Sequence, residues 1–406
     1  MINIEDYVPI VGRAAVKEIL FLAGKLKRKK MQNITSTAAG GGVAEILSRM
    51  IPLLKHLGVD ARWDVIKGDE RFFVVTKKMF NALHGAPADI SDEDLSYFLE
   101  INRMNAPEID TSSDFILVHD HQPAALIENR KESGVPWVWR CHMDFSRPDA
   151  RMWNFVKNYI DKYDAAIFSA SSFTGDLSIK QVLIAPSIDP FSDKNKELPQ
   201  EAVHLVLDRF GIDRSRPVVT QISRFDYLKD PVGVIQAYKI AKRDVDIQLV
   251  LAGGGAADDP EGPKTLDQVK AEADGDKDIF ILFLPPASDI EINALQRGST
   301  VIVQKSVREG FGLTVTEALW KAKPVIASAV GGIPLQVQHQ RTGILTYTIE
   351  ETAHWIKKLI QEPGYARQLG LNGREHVKQN FLITRHLRDY LSVFLSVAHK
   401  GRHVDS

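Results

Sequence analysis

One cysteine, Cys141, occurs in 406 residues, so the chain can form neither an internal disulfide nor a thiolate metal cluster. Net charge is also nearly absent. With 51 basic against 52 acidic residues, no polyanion-binding surface is implied, and nucleic acid is excluded as an expected partner. Long hydrophobic runs are missing as well. Ile19-Leu-Phe-Leu-Ala-Gly24 falls far short of a membrane span, so no membrane partner is expected. Acidic residues precede the first apolar stretch, unlike a secretory signal, and the expected location is cytoplasmic. The one dense basic run, Lys25-Leu-Lys-Arg-Lys-Lys30, reads as a solvated helix end that complements the helix dipole.

Metal and nucleophile signatures are just as sparse. No G-x-S-x-G elbow and no G-x-x-x-x-G-K-[ST] loop is present. Asp274-Gly-Asp-Lys-Asp278 starts like a calcium loop but has Ile279 at the sixth position and Pro285 at the twelfth. His119-Asp-His-Gln-Pro123 lacks helical ligand spacing. No metal site and no cofactor are expected.

What is present is alternation. Apolar runs rich in β-branched residues recur at Phe115–His119, Val138–Arg140, Ala165–Phe168, Val218–Ile222, Ile247–Ala252, Ile279–Phe283, Val301–Val303 and Pro324–Ala327. Between them lie stretches of helical period such as Pro231–Lys242, Ile290–Arg297 and Thr314–Lys321. Strands buried on both faces and alternating with helices make parallel sheets and an α/β architecture. The series resets at residues 185–199, where prolines and mixed charges interrupt it. This divides the chain into 1–190 and 191–383, with an amphipathic helix beyond residue 383 free to pack back on either part.

In open parallel sheets ligands lie at the carboxyl ends of strands. Polar residues there are the candidates. Gly40, Gly41 and Gly42 precede a helix and let backbone amides approach an anion or sugar. His119, Asp120 and Gln122 follow one strand; Arg140, His142 and Asp144 end another. Arg224 and Lys229 follow a third and together can neutralise a diphosphate, although, taken alone, surface pairing with Asp226 and Asp230 is the stronger reading. Glu309 and Glu317 flank a Gly-Phe-Gly turn, and Thr314-Val-Thr-Glu317 also fits a capping box.

The combination of Arg224 and Lys229 with Glu309-Gly-Phe-Gly-Leu-Thr-Val-Thr-Glu317 resembles the E-x7-E motif of retaining GT-B glycosyltransferases of the family 4 type. Ser36–Ile46, Val118–Leu126, Trp137–Asp144, Pro186–Pro190, Asp259–Gly262 and Arg308–Trp320 resemble, within that family, the trehalose glycosyltransferring synthases. The resemblance spans Tyr7 to Leu395 and implies two Rossmann-like domains with a deep cleft between them. It implies transfer of glucose from a nucleotide-glucose (UDP-, ADP- or GDP-glucose) to glucose, forming α,α-trehalose reversibly by front-face attack. By the same resemblance Arg224 and Lys229 grip the donor diphosphate and Glu309 touches the hexose. Gly310, Phe311, Gly312, Leu313 and Thr314 offer amides to hydroxyls and phosphate, while Glu317 takes the ribose. Gly40–Gly42 face the diphosphate and acceptor, and His142, with Arg140 and Asp144, lines the glucose pockets. A homodimer is implied too. The chain departs from the family at His121 and Ala185, where proline is commoner, which leaves the acceptor less fixed than the donor. A retaining trehalose phosphorylase, or a family 4 transferase with another acceptor, remains the alternative.

Overall fold

The computed structural model describes residues 3–38, 41–110, 112–131, 134–254 and 262–400. The chain forms two compact units, Met1–Ser187 with Ile383–Ser406, and Ile188–Leu382. Each is built on one six-stranded sheet in which all pairs run parallel.

In the first unit the strands are β1 (Lys30–Thr35), β2 (Asp60–Val65), β3 (Phe115–His119), β4 (Trp137–Arg140), β5 (Ala165–Phe168) and β6 (Lys180–Leu183), in the order β2-β1-β3-β4-β5-β6. Every residue of β3, β4 and β5 is buried, because helices cover both faces. One face packs Ile116, Val118, Trp137, Trp139 and Phe168 against Phe72, Phe98, Met152 and Val156 from three helices. On the other, Phe115 meets Phe394 of the helix Ile383–Lys400 at 5.3 Å between ring centres. That helix also packs on Arg13–Lys25 and Gly42–His56.

The second unit holds β7 (Val218–Ile222), β8 (Gln248–Gly253), β9 (Ile279–Phe283), β10 (Val301–Gln304), β11 (Val325–Ser328) and β12 (Ile344–Thr346), in the order β12-β11-β10-β7-β8-β9. Its two faces are covered by Val234, Tyr238, Ile356 and Leu359 on one side and by Val206, Leu207, Ala294 and Leu295 on the other.

Strand order reverses between β1 and β3 in the first sheet and between β7 and β10 in the second. Each reversal makes the flanking connections leave toward opposite faces and opens a crevice at the carboxyl ends. These two places are where chemistry is expected, and the candidate residues lie there.

Candidate active site

At the reversal in the second sheet, the loop after β7 carries Arg224 and Lys229, and the loop after β10 carries Glu309. The two loops are stitched by the Val307 amide, which donates to the Leu228 carbonyl at 2.8 Å. Gln221 Nε2 holds the Lys229 carbonyl at 2.7 Å. Lys229 Nζ and Glu309 Oε2 then form an ion pair at 2.6 Å, with side chains only 19% and 9% exposed. Ser306 Oγ donates to the same carboxylate oxygen at 3.1 Å. Arg224 is more open and reaches Asp226 Oδ2 at 3.3 Å, while Asp226 caps the following turn through the Leu228 amide at 2.9 Å. The neighbouring Asp230 is paired with Lys305 and accepts from the Gly233 amide at 3.0 Å, opening the helix Pro231–Lys242. Of the competing uses for the two cations, Arg224 is on Asp226, whereas Lys229 is on Glu309.

Glycines let the backbone close around Glu309. Gly312 takes φ +83°, and a Cβ there would sit 3.1 Å from Glu309 Cγ. Gly331, at φ +54°, presses on the Glu309 carbonyl so closely that a Cβ would lie 1.6 Å from that oxygen. Gln336 locks the turn from the other side by donating to the Phe311 carbonyl and accepting from Thr316 Oγ1 at 2.5 Å. Gly310 to Thr314 therefore lead into the helix Leu313–Trp320 with amides at its N-terminus.

The capping-box reading of Glu317 is corrected. The helix starts at Leu313 with Gly312 as its N-cap and no side-chain cap bond. Thr314 is already the second helical residue, so it cannot be the cap, and Glu317 lies a turn inside at 1% exposure. Lys321 Nζ donates to the Glu317 carbonyl at 3.2 Å and to Asn195 at 3.1 Å.

At the reversal in the first sheet, the parallel register sets His119 of β3 beside Arg140 of β4. His119 Nδ1 lies 3.0 Å from His142 Nε2, and the two rings are nearly parallel and end to end, with centres 5.3 Å apart. Asp120 adopts φ +62° and accepts from the His142 amide at 2.7 Å, fixing the turn that brings the imidazoles together. Asp144 accepts from the Ser146 amide at 2.9 Å. Gln122 contributes its carbonyl to Asn102 at 3.0 Å. His121 is fully buried on the Thr76 carbonyl at 3.0 Å, so its departure from the family pattern is spent on packing rather than on an open pocket. Gly41 takes φ +95° with open space where a Cβ would be, and Gly42 opens the helix Gly42–His56; Gly40 lies outside the described residues.

Burial sets the electrostatics of this cluster. It pushes His119 down to about 3, helped by Arg140, and His121 down to about 4. His142 is held well below its ordinary value by burial, then by Arg140. Asp120 keeps part of its surface open, yet the protein around it raises its carboxyl to about 7 against the pull of the His142 amide and Arg140. Arg140 itself is fully buried on Ser169 Oγ at 3.2 Å, and its Nε and Nη1 have no hydrogen-bond partner among the described residues. It has no exposed surface and lies beside His119 in the register of β3 and β4.

Asn33, Ser169, Ser306 and His386 join these clusters without having been singled out by sequence. Asn33 and Ser169 carry a faint signal, being polar residues at the carboxyl ends of strands. His386 had none, since it arrives from the far end of the chain. Among the described residues no group of three His, Cys, Asp or Glu side chains could hold a metal ion, and no helix is long and apolar enough to cross a membrane.

Comparison with known proteins places this geometry. Residues 33–175 match the family described as trehalose synthase, N-terminal domain, and residues 207–376 match glycosyl transferases group 1. The chain is 43% identical over 400 residues to a trehalose synthase of Thermococcus litoralis, covering 97% of each chain. It is 43% identical to a trehalose synthase of Rubrobacter xylanophilus, covering 96% of this chain and 95% of that protein. A solved α,α-trehalose-phosphate synthase (UDP-forming) from Burkholderia vietnamiensis shares the fold with a TM-score of 0.74 at 16% identity, covering 93% of this chain and 98% of that one. Two parallel six-stranded sheets of this kind are the GT-B fold. The chain belongs to the trehalose synthase family of GT-B glycosyltransferases.

Proposed function

We propose that this enzyme transfers glucose from a nucleoside diphosphate glucose to the anomeric hydroxyl of glucose, with retention, to give α,α-trehalose and the nucleoside diphosphate. The observation that carries this reading is the Lys229–Glu309 pair at the carboxyl ends of β7 and β10, beside Arg224 and a glycine-opened helix start. As the glycosyl–phosphate bond breaks, negative charge grows on the departing diphosphate. Arg224, Lys229 and the amides of Gly310–Thr314 are fixed donors for that charge. Glu309, held by Lys229 and Ser306, faces positive charge developing at the anomeric carbon. The acceptor hydroxyl attacks the face that the phosphate leaves, and its proton passes to the departing phosphate oxygen. Glu317 takes the ribose, and His142 with the Gly41–Gly42 turn of the first unit takes sugar hydroxyls. Family membership at 43% identity along nearly the whole chain supports trehalose as the product.

Charge stabilisation by Arg224 and Lys229 requires no metal, and EDTA should leave turnover unchanged. Proton NMR of the protein with glucose and UDP-, ADP- or GDP-glucose tests the reaction. An α,α-1,1-linked product with nucleotide release is the expected result and ranks the donors. Donor hydrolysis without disaccharide would overturn the acceptor, and phosphate-dependent trehalose cleavage with no nucleotide would overturn the donor class.

A further inference from the structure

Three side chains from three places in the first unit form a row whose protons can be assigned. Asn33 of β1 donates its Nδ2 to the Arg62 carbonyl at 3.2 Å, which turns its Oδ1 toward His119 Nε2 at 3.4 Å. An amide oxygen only accepts, so His119 carries its proton on Nε2. Its Nδ1 is then a lone pair, and His142 Nε2, 3.0 Å away, donates to it. A neutral imidazole has a single N–H. His142 is left with a lone pair on Nδ1, which has no hydrogen-bond partner among the described residues.

We propose that Asn33 is a positioning residue that acts through His119 to fix the tautomer of His142, so that His142 Nδ1 accepts a hydrogen bond from one hydroxyl of the bound hexose. The assignment holds only while the row is uncharged, since an imidazolium at His142 would present a second donor instead of a lone pair. The surroundings enforce neutrality. Arg140 faces the row from β4 with its Nε and Nη1 unmatched, and His386 faces it from the helix Ile383–Lys400 with Arg385 behind it. Asp120, on the loop after β3, is the nearby acid; Tyr390 lies behind, stacked on His386 at 4.7 Å, and Asp389 is occupied by Arg385 at 3.1 Å. The buried charge around the row is therefore mainly positive, and a further proton is opposed.

A fixed acceptor selects for a sugar that can donate at that position, because an analogue without the hydroxyl leaves a polar group unmatched. The inference rests on the hexose-transfer reading, but its first test does not. Long-range proton–nitrogen NMR of the histidine-labelled full chain, without substrate at pH 7, reads the tautomer directly. His142 protonated at Nε2 is expected, with Asn33→Leu giving a mixture and Asn33→Asp restoring the single form. A proton on Nδ1, or an imidazolium, would overturn the proposal even if trehalose is made. The second test is kinetic. Asn33→Leu should lower kcat/KM about tenfold, the scale of one hydrogen bond. Across 2-, 3-, 4- and 6-deoxy sugars, offered in both the donor and the acceptor, one position should lose nothing further on Asn33→Leu. An equal loss at all positions would mean that Asn33 serves only folding. Should Asn33→Leu not fold, the wild-type and Asn33→Asp spectra decide.

Discussion

The two candidate sites occupy equivalent places in their sheets but are built in opposite ways. In the second unit the functional groups are charged and paired, Lys229 on Glu309, and glycines shape the backbone around them. In the first unit the groups are imidazoles kept neutral by burial, beside a guanidinium with unmatched donors. A site that must meet a diphosphate keeps fixed charges at hand. A site that must tell one uncharged hydroxyl from another gains more from neutral groups in defined protonation states. The difference teaches that the same crevice in a parallel sheet can be tuned toward charge or toward hydrogen-bond direction by what surrounds it.

The sharpest way to break the contrast is to remove the charge in the second unit. Lys229→Met should lower turnover several hundred-fold, about 3–4 kcal/mol of transition-state stabilisation. It should also lower stability, because Glu309 is left buried without its cation. Lys229→Met combined with Glu309→Gln should recover the melting temperature but not the turnover. Recovery of both would mean that the pair is structural only.

Steric closure separates the sites next. Gly331→Ala forces a Cβ onto the Glu309 carbonyl and adds left-handed strain, together about 2–5 kcal/mol. Gly41→Ala meets no atom within 4 Å and carries only backbone strain of about 1–3 kcal/mol. Denaturant titrations of the two variants should show the larger loss at Gly331, and equal losses would contradict the closure around Glu309.

A smaller and graded effect comes from acid. His119, His121, His142 and His386, the histidines held below their ordinary values by burial, all belong to the first unit. Above pH 6.5 they are neutral in folded and unfolded chains alike. As pH falls below that, the unfolded chain takes up protons that the folded unit refuses, and stability drops by up to about 1.4 kcal/mol per pH unit for each proton. Asp120 works the other way between its ordinary range and about 7, since its folded form holds a proton that the unfolded chain releases. Four groups outweigh one. Hydrogen exchange at pH 5 against pH 7 should therefore show the first unit losing protection before the second, and the reverse order would refute this account.

The second site was legible because its chemistry is local: nine consecutive residues, Glu309 to Glu317, hold both glutamates and the turn. Even there the assigned reason for Glu317 failed. A capping-box pattern is common in any helix start, and Gly312 in the left-handed region began the helix two residues earlier than the pattern required. In the first site the strand ends were visible but not their pairing, and only the register with β3 shows Arg140 to be a buried neighbour of His119. Of the strands missing from the apolar series, β2, β6 and β12 are at sheet edges, whereas β1 is interior but carries the buried polar residues Gln32, Asn33 and Thr35. Asp60-Ala-Arg-Trp-Asp-Val65 and Lys180-Gln-Val-Leu183 are half-exposed, so they need not be apolar and lose the signal that marked the central strands.

The helix Ile383–Lys400 makes the first unit discontinuous in sequence, whereas the second is a single uninterrupted stretch. During synthesis, residues up to Ser187 emerge first yet lack the surface that buries Phe115 until Phe394 has followed. The unit begun first is thus the last able to reach its finished state. The imidazole site acquires its final environment only when His386 and Tyr390 have followed, after Leu382 has completed the second unit.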